Sequence, residues 1–284
     1  MSALRVRWPA VAGAFYPSDP VKLREAIIEC FHHPLGPGRT PQGKRPPSIV
    51  SVVVPHAGYI YSGPAAAHAY LELGDESPPD AYVVVGPNHT GWGTPLSIME
   101  EGVWRTPLGD APIDSGLAGA IIEFSEIARA DSEAFIREHS QEVQVPFIQF
   151  INPKAQIVPV CMGYQDLETS RDLAQAVFKA AEGKRVVVVA STDLSHQEPI
   201  EVARRKDALV LEALRGMDEE RLQRAVRTHR ISMCGYGPAS VALAYAKLSS
   251  ARECQVLTYY TSGDVTGDTW GVVGYTSAKL VKEV

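Results

Sequence analysis

Val186-Val187-Val188-Val189-Ala190-Ser191-Thr192-Asp193-Leu194-Ser195-His196 is the stretch on which the fold turns. Five small or β-branched apolar residues follow one another without polar alternation and then break into a polar turn. A strand with one wet face alternates; a run like this is covered on both faces, as inside a parallel sheet. The pattern recurs. Residues 49–54 run into Pro55-His56-Ala57-Gly58-Tyr59, and residues 81–85 run into Gly86-Pro87-Asn88-His89. Residues 157–160 form a fourth apolar run. Helical spacing fills the intervals, near 63–73, 115–124, 166–182, 199–214 and 238–249. An earlier helix is signalled by Asp19-Pro20, a cap followed by proline at the first helical position. Leu23, Ile27, Cys30 and Phe31 then recur on one face. Alternating strands and helices predict an α/β layered domain with a central, mostly parallel sheet flanked by helices. Residues 255–260 and 271–275 read as two more strands, antiparallel at an edge.

The 284 residues lie between one and two domains at about 150 residues each. The Pro/Gly-rich stretch 34–47 is too short to divide them, and no internal repeat is present, so 1–284 reads as a single domain. Thirty-three acidic against 27 basic residues leave a net charge of −6. Without a basic stripe, nucleic acid is a poor partner. No apolar run approaches the roughly 18 residues of a membrane span. Cys30, Cys161, Cys234 and Cys254 form no C-x-x-C pair, which excludes a zinc ribbon and a thioredoxin-type motif. Scattered cysteines fit a reducing compartment. Pro9 interrupts the short apolar segment after Arg5 and Arg7, and no typical cleavage site follows, so the expected location is the cytoplasm.

In open α/β sheets, ligands bind beyond the carboxyl ends of the strands. His56, His89, Asp193 and His196 all follow such ends. Imidazole is the commonest metal ligand and the acid–base group nearest neutral pH. One strand-end histidine caps a loop about as often as it does chemistry, and a lone aspartate there is more often a turn cap; four together argue against coincidence. Glu138-His139-Ser140 reads as the opening of a helix. Ser232-Met233-Cys234-Gly235-Tyr236-Gly237-Pro238 reads as another, which puts the Cys234 thiol near a helix N-terminus, where the thiolate is favoured. Taken alone, Cys234 would be a small buried hydrophobe. His32, His33, His68 and His229 lack a strand-end context and read as structural or surface residues. Cys30 fits a core helix face, and Cys161 and Cys254 lie in or beside strands. No G-x-S-x-G, Walker A, correctly placed G-x-G-x-x-G or H-E-x-x-H sequence is present.

These segments, in this order, resemble the Memo family. The match is carried by Pro9-Ala10-Val11-Ala12-Gly13-Ala14-Phe15-Tyr16, Pro55-His56-Ala57-Gly58-Tyr59-Ile60-Tyr61-Ser62-Gly63 and Gly86-Pro87-Asn88-His89. It continues through Trp104-Arg105-Thr106-Pro107-Leu108-Gly109, Glu138-His139-Ser140-Gln141-Glu142-Val143-Gln144-Val145-Pro146-Phe147, Ser191-Thr192-Asp193-Leu194-Ser195-His196 and Met233-Cys234-Gly235. The resemblance implies one α/β domain similar to the class III extradiol dioxygenases. It also implies His56, His89 and Cys234 as metal ligands, with His139, Asp193 and His196 lining the site.

The dioxygenases hold ferrous iron with two histidines and a carboxylate; here a thiol stands in the third place, which counts against ring cleavage and not against a metal. Two imidazoles and a thiolate suit iron, copper or zinc, and the resemblance ranks iron first. On this reading Asp193 orients a histidine through its ring N–H, His196 is a general acid–base, and His139 binds substrate or braces the site. Tyr59 and Tyr61 could line the pocket, but packing is the expected role. The implied function is a metal-dependent redox enzyme. The alternatives are a non-catalytic adaptor for peptides or proteins and a metal-handling protein. Prokaryotic relatives are named beside a radical-SAM protein and an AMMECR-type protein, which makes those the expected partners; a homo-oligomer is compatible.

Overall fold

A computed structural model describes residues 5–43 and 45–283. In chain order the elements are β1 (Val6–Arg7), α1 (Pro20–His32), β2 (Ile49–Val54), α2 (Tyr59–Gly74), β3 (Ala81–Pro87), β4 (Leu96–Ile98), β5 (Val103–Thr106), β6 (Gly109–Pro112), α3 (Ser115–Phe124), β7 (Arg129–Ala130), α4 (Val145–Ile151), β8 (Ile157–Met162), α5 (Leu167–Ala180), β9 (Val186–Ser191), β10 (His196–Glu198), α6 (Ile200–Arg215), α7 (Glu219–Thr228), α8 (Tyr236–Leu248), β11 (Glu253–Thr261), α9 (Ser262–Thr266) and β12 (Val272–Val281).

The four apolar runs are β2, β9, β3 and β8, adjacent in that order, parallel, and buried at every position. Val83 pairs with Val188 on one side and with Val158 on the other, so the centre of the sheet is branched aliphatic on both faces. Helix α8 crosses β2, β9 and β3 on one face, with α5 and α7 packed against it, while α2 covers β2, β11 and β12 with α1 and α4 behind it. Ser51, the polar residue within β2, is buried and donates to Ala242 O of α8 at 3.1 Å. The expected layered α/β architecture is thus the observed one.

Antiparallel strands flank the parallel core. β12 joins β2 and carries β11 and β10 beyond it; β4 joins β8 and carries β7. The two tail strands are antiparallel at this end as expected, but longer, and only β11 is outermost in its pairing. A separate sheet runs β1-β5-β6.

Asp19 caps α1 with bonds from Val21 N and Lys22 N, and Pro20 is its first residue, as read. The helix expected from residue 63 begins a turn earlier at Tyr59, so Pro64 lies inside it. Glu138-His139-Ser140 does not open a helix. A 3₁₀ turn at Glu142–Gln144 runs directly into α4, and the Glu138 carboxylate accepts the backbone N–H groups of His139 and Ser140 ahead of it.

Candidate metal centre

Parallel register decides which side chains meet. Val54 pairs with Ser191 and Val85 with Ala190, so β2, β9 and β3 end level with one another. The turns after them open onto one edge. Thr192 N donates to Val54 O at 2.8 Å, which carries the β2–β9 pairing one residue into the turn. Asp193, buried, then accepts from His56 N at 2.8 Å and joins the two turns.

The segment before α8 closes on the same edge. Gly235 N donates to Thr192 Oγ1 at 2.9 Å, and Asp193 N donates to Cys234 Sγ at 3.2 Å. A side chain at 235 would bring its Cβ to 2.5 Å from Ser191 O, so only glycine admits this approach. Cys234 Sγ consequently sits 3.1 Å from His56 Nε2. His89 is delivered from β3. One donor atom each from His56, His89 and Cys234 lie within 4.8 Å of one another, although 56 and 234 are 178 positions apart.

His89 is oriented by Glu138. That buried carboxylate accepts from His89 N at 2.6 Å, from His89 Nδ1 at 2.9 Å, from His139 N at 2.9 Å and from Ser140 N at 2.8 Å. Burial alone would raise its pKa, but the His89 ring and the backbone donors outweigh burial and hold it down to about 2. An ionised Glu138 requires the proton of neutral His89 on Nδ1, which leaves Nε2 with its lone pair. Glu138, His89 and His139 also lie within 4.8 Å of one another, but these hydrogen bonds already account for the carboxylate.

His139 lies over His89 with ring centroids 4.5 Å apart, and its edge meets His56 at 5.4 Å. Burial lowers its pKa to about 4. Burial, reinforced by the neighbouring histidines, pushes His56 well below the histidine range. Asp193 moves the other way, up to about 6, again through burial. His196 is half-buried and lies outside the group of three. Its N donates to Ser232 Oγ at 2.7 Å and its Nδ1 faces Ser232 O at 2.8 Å, tying it to the segment that carries the thiol. The following residue, Gln197, has φ 58°, a left-handed conformation unusual outside glycine.

Two expectations need correction. Asp193 does not hold a histidine ring: it bonds the backbone of His56, while the ring Nδ1 meets Ser191 Oγ at 2.9 Å. The Cys234 thiol is not held below its usual range by its place before α8: burial, with the Asp193 carboxylate adding to it, outweighs the backbone N–H donors and raises its pKa. Glu138 and Ser191 stood inside segments singled out in the sequence but had no role there. Gln144, which donates to Ser191 Oγ at 2.9 Å, likewise lay inside such a segment without a role, because only the turn before α4 aims it at the edge of the sheet. Tyr59 packs, with its hydroxyl on Val143 O at 2.7 Å, whereas Tyr61 is exposed.

The described residues contain no helix long and apolar enough to cross a membrane. The family model described as Memo-like protein matches residues 7–279. A MEMO1 family protein from Methanothermobacter thermautotrophicus is 46% identical over 272 residues, covering 95% of this chain and 98% of its own. One from Methanopyrus kandleri is 45% identical over 273 residues, covering 95% and 96%. In fold, the chain is similar to an uncharacterized protein from Escherichia coli K12 of known crystal structure. There the TM-score is 0.55 at 16% identity, over 81% of this chain and 99% of that one.

Proposed function

The chain belongs to the Memo family, and from that premise we propose that it is a metal-dependent redox enzyme whose ion is held by His56, His89 and Cys234. The observation that carries the reading is the convergence of two imidazoles and one thiol from three distant segments. A pure adaptor has no need of it. The donor set fits the group: neutral imidazole and thiolate suit iron, copper or zinc, and do not suit magnesium or calcium. Iron is the first choice on the family resemblance, with copper and zinc its rivals.

When bound, a redox-active ion supplies one-electron chemistry at a position that three protein ligands leave open. The remaining work belongs to the chain. Glu138 fixes the His89 ring, and Asp193 fixes the turn that carries His56. His139, neutral near pH 7, is available to accept a proton or a hydrogen bond from substrate. His196 gives its Nδ1–H to Ser232 O, which makes Nε2 its basic atom and suits it to general acid–base work. The thiol in place of a carboxylate ligand argues for chemistry other than catechol cleavage. All four cysteines are free, in keeping with a cytoplasmic location. A radical-SAM protein and an AMMECR-type protein are the partners this reading names.

The test is metal analysis of untagged protein purified anaerobically. About one iron per chain, lost in Cys234→Ser, is the expected result. Protein that takes up no metal under any loading condition overturns the reading in favour of an adaptor.

A further inference from the structure

The contacts behind His56 permit one arrangement of protons. Ser191 Oγ has three partners: Ser140 O at 2.6 Å, Gln144 Nε2 at 2.9 Å and His56 Nδ1 at 2.9 Å. A hydroxyl has one proton to give and two lone pairs to receive. Ser140 O is a carbonyl and can only accept, so it takes the serine proton. Gln144 Nε2 can only donate, and fills one lone pair. The second lone pair is left for His56, which must donate from Nδ1.

The glutamine cannot be reversed. Its Nε2 has two protons, and they go to Ser191 Oγ and to Pro55 O at 2.9 Å. Its Oε1 accepts from Tyr70 OH at 2.9 Å. Turning the amide over would set Oε1 against the carbonyl of Pro55, two acceptors face to face. Ser191, Gln144, Tyr70 and Ser140 are all buried, so water does not substitute for a missing partner.

We propose that Ser191 and Gln144 are positioning residues that lock neutral His56 in the tautomer protonated at Nδ1, so that Nε2 meets Cys234 Sγ as a bare lone pair. This deepens the metal-centre reading and rests on it for its purpose, since an imidazole protonated at Nε2 cannot ligate through that atom. The device matches the one at His89, with a serine in place of the carboxylate: a neutral hydroxyl fixes the proton without drawing positive charge onto a buried ring.

Two measurements separate the inference from the reading beneath it. Long-range 1H–15N correlation of the His56 ring in metal-free protein at pH 7–8 is expected to show a protonated Nδ1 and a bare Nε2. Ser191→Ala, which removes the acceptor, is expected to move the proton wholly or partly to Nε2, and Ser191→Thr to restore the original signature. In a parallel titration, cobalt(II) is expected to bind Ser191→Ala about 10–100-fold more weakly than the unchanged protein, with most of the loss recovered in Ser191→Thr. Protonated Nε2 in the unchanged protein overturns the proposal, as does Ser191→Ala with both tautomer and cobalt affinity unaltered. If the unchanged protein takes up no cobalt, the metal reading fails while the ring spectrum still decides the tautomer.

Discussion

Cys234 keeps its proton in the metal-free protein, since burial and the Asp193 carboxylate both disfavour the thiolate. Ligation needs the thiolate, so binding must expel that proton. Metal added to lightly buffered protein at pH 7 should release about one proton per ion, and affinity should climb with pH. Cys234→Ser should abolish the release and weaken binding far more than Cys161→Ser or Cys254→Ser, whose thiols are buried outside the cluster. A pH indicator and a metal titration on the three variants check this. At this scale the sequence revealed the residues that carry unusual chemistry, because histidines after strand ends and a cysteine just before a helix are conspicuous. It did not reveal how they are held. Whether Asp193 meets the ring of His56 or its backbone is a matter of atomic placement that no spacing rule resolves.

Among elements, the long runs were readable and the short ones were not. β2, β3, β8 and β9 each have at least six residues, mostly apolar and buried throughout. β4, β7 and β10 have two or three residues, too few for any period, and owe their form to the neighbours they pair with. The segment before α1 was legible as a motif but not as a brace. Its anchor is Glu142, fully buried, which accepts from Arg7, from Tyr16 OH at 2.6 Å, from Ala10 N at 2.8 Å and from Val11 N at 3.0 Å. Arg7 also bonds Glu138 O at 2.6 Å and Phe135 O at 2.9 Å, and lies 4.3 Å from the centre of the Trp104 ring. The segment thereby lays Phe15 against His139, centroids 4.8 Å apart. Removing one member of a buried pair strands the other. Arg7→Ala should therefore cost about 3–5 kcal/mol in urea unfolding. Arg105→Ala, which breaks the exposed pair with Asp110, should cost no more than about 1 kcal/mol. Equal costs would refute the assignment of Arg7 as a brace.

For the molecule as a whole, the depressed histidines set how stability responds to acid. Neutral His139 takes a proton in the unfolded chain near 6.5 but in the folded chain only near 4. As pH falls from about 6.5 toward 4, the unfolded state gains protons first and folding loses free energy. His56 and His68 act in the same direction; Asp193 and Asp207, with raised carboxyls, act against them. The net slope mixes these contributions, but a variant isolates one. Between pH 7.5 and 5, metal-free His139→Gln should lose less stability than the unchanged protein, by about 2 kcal/mol or roughly 3–4 °C in Tm. Parallel curves for the two proteins would contradict the buried, neutral state of His139.

The order in which the sheet is laid down is not the order in which it is synthesised. β2, which leads into His56, is made early, yet one of its edges is covered by β12, where Ala278 pairs with Val53 and Lys279 with Val52. Every other described element leaves the ribosome before that partner does. Throughout synthesis, β2 carries an open edge rich in valine, the kind of edge that recruits strands from other molecules. The tail of the chain thus acts as a final bolt. Loss of residues 272–281 would leave His56 on an unfinished sheet, and the failure would take the form of aggregates, not of a soluble protein with a weaker site.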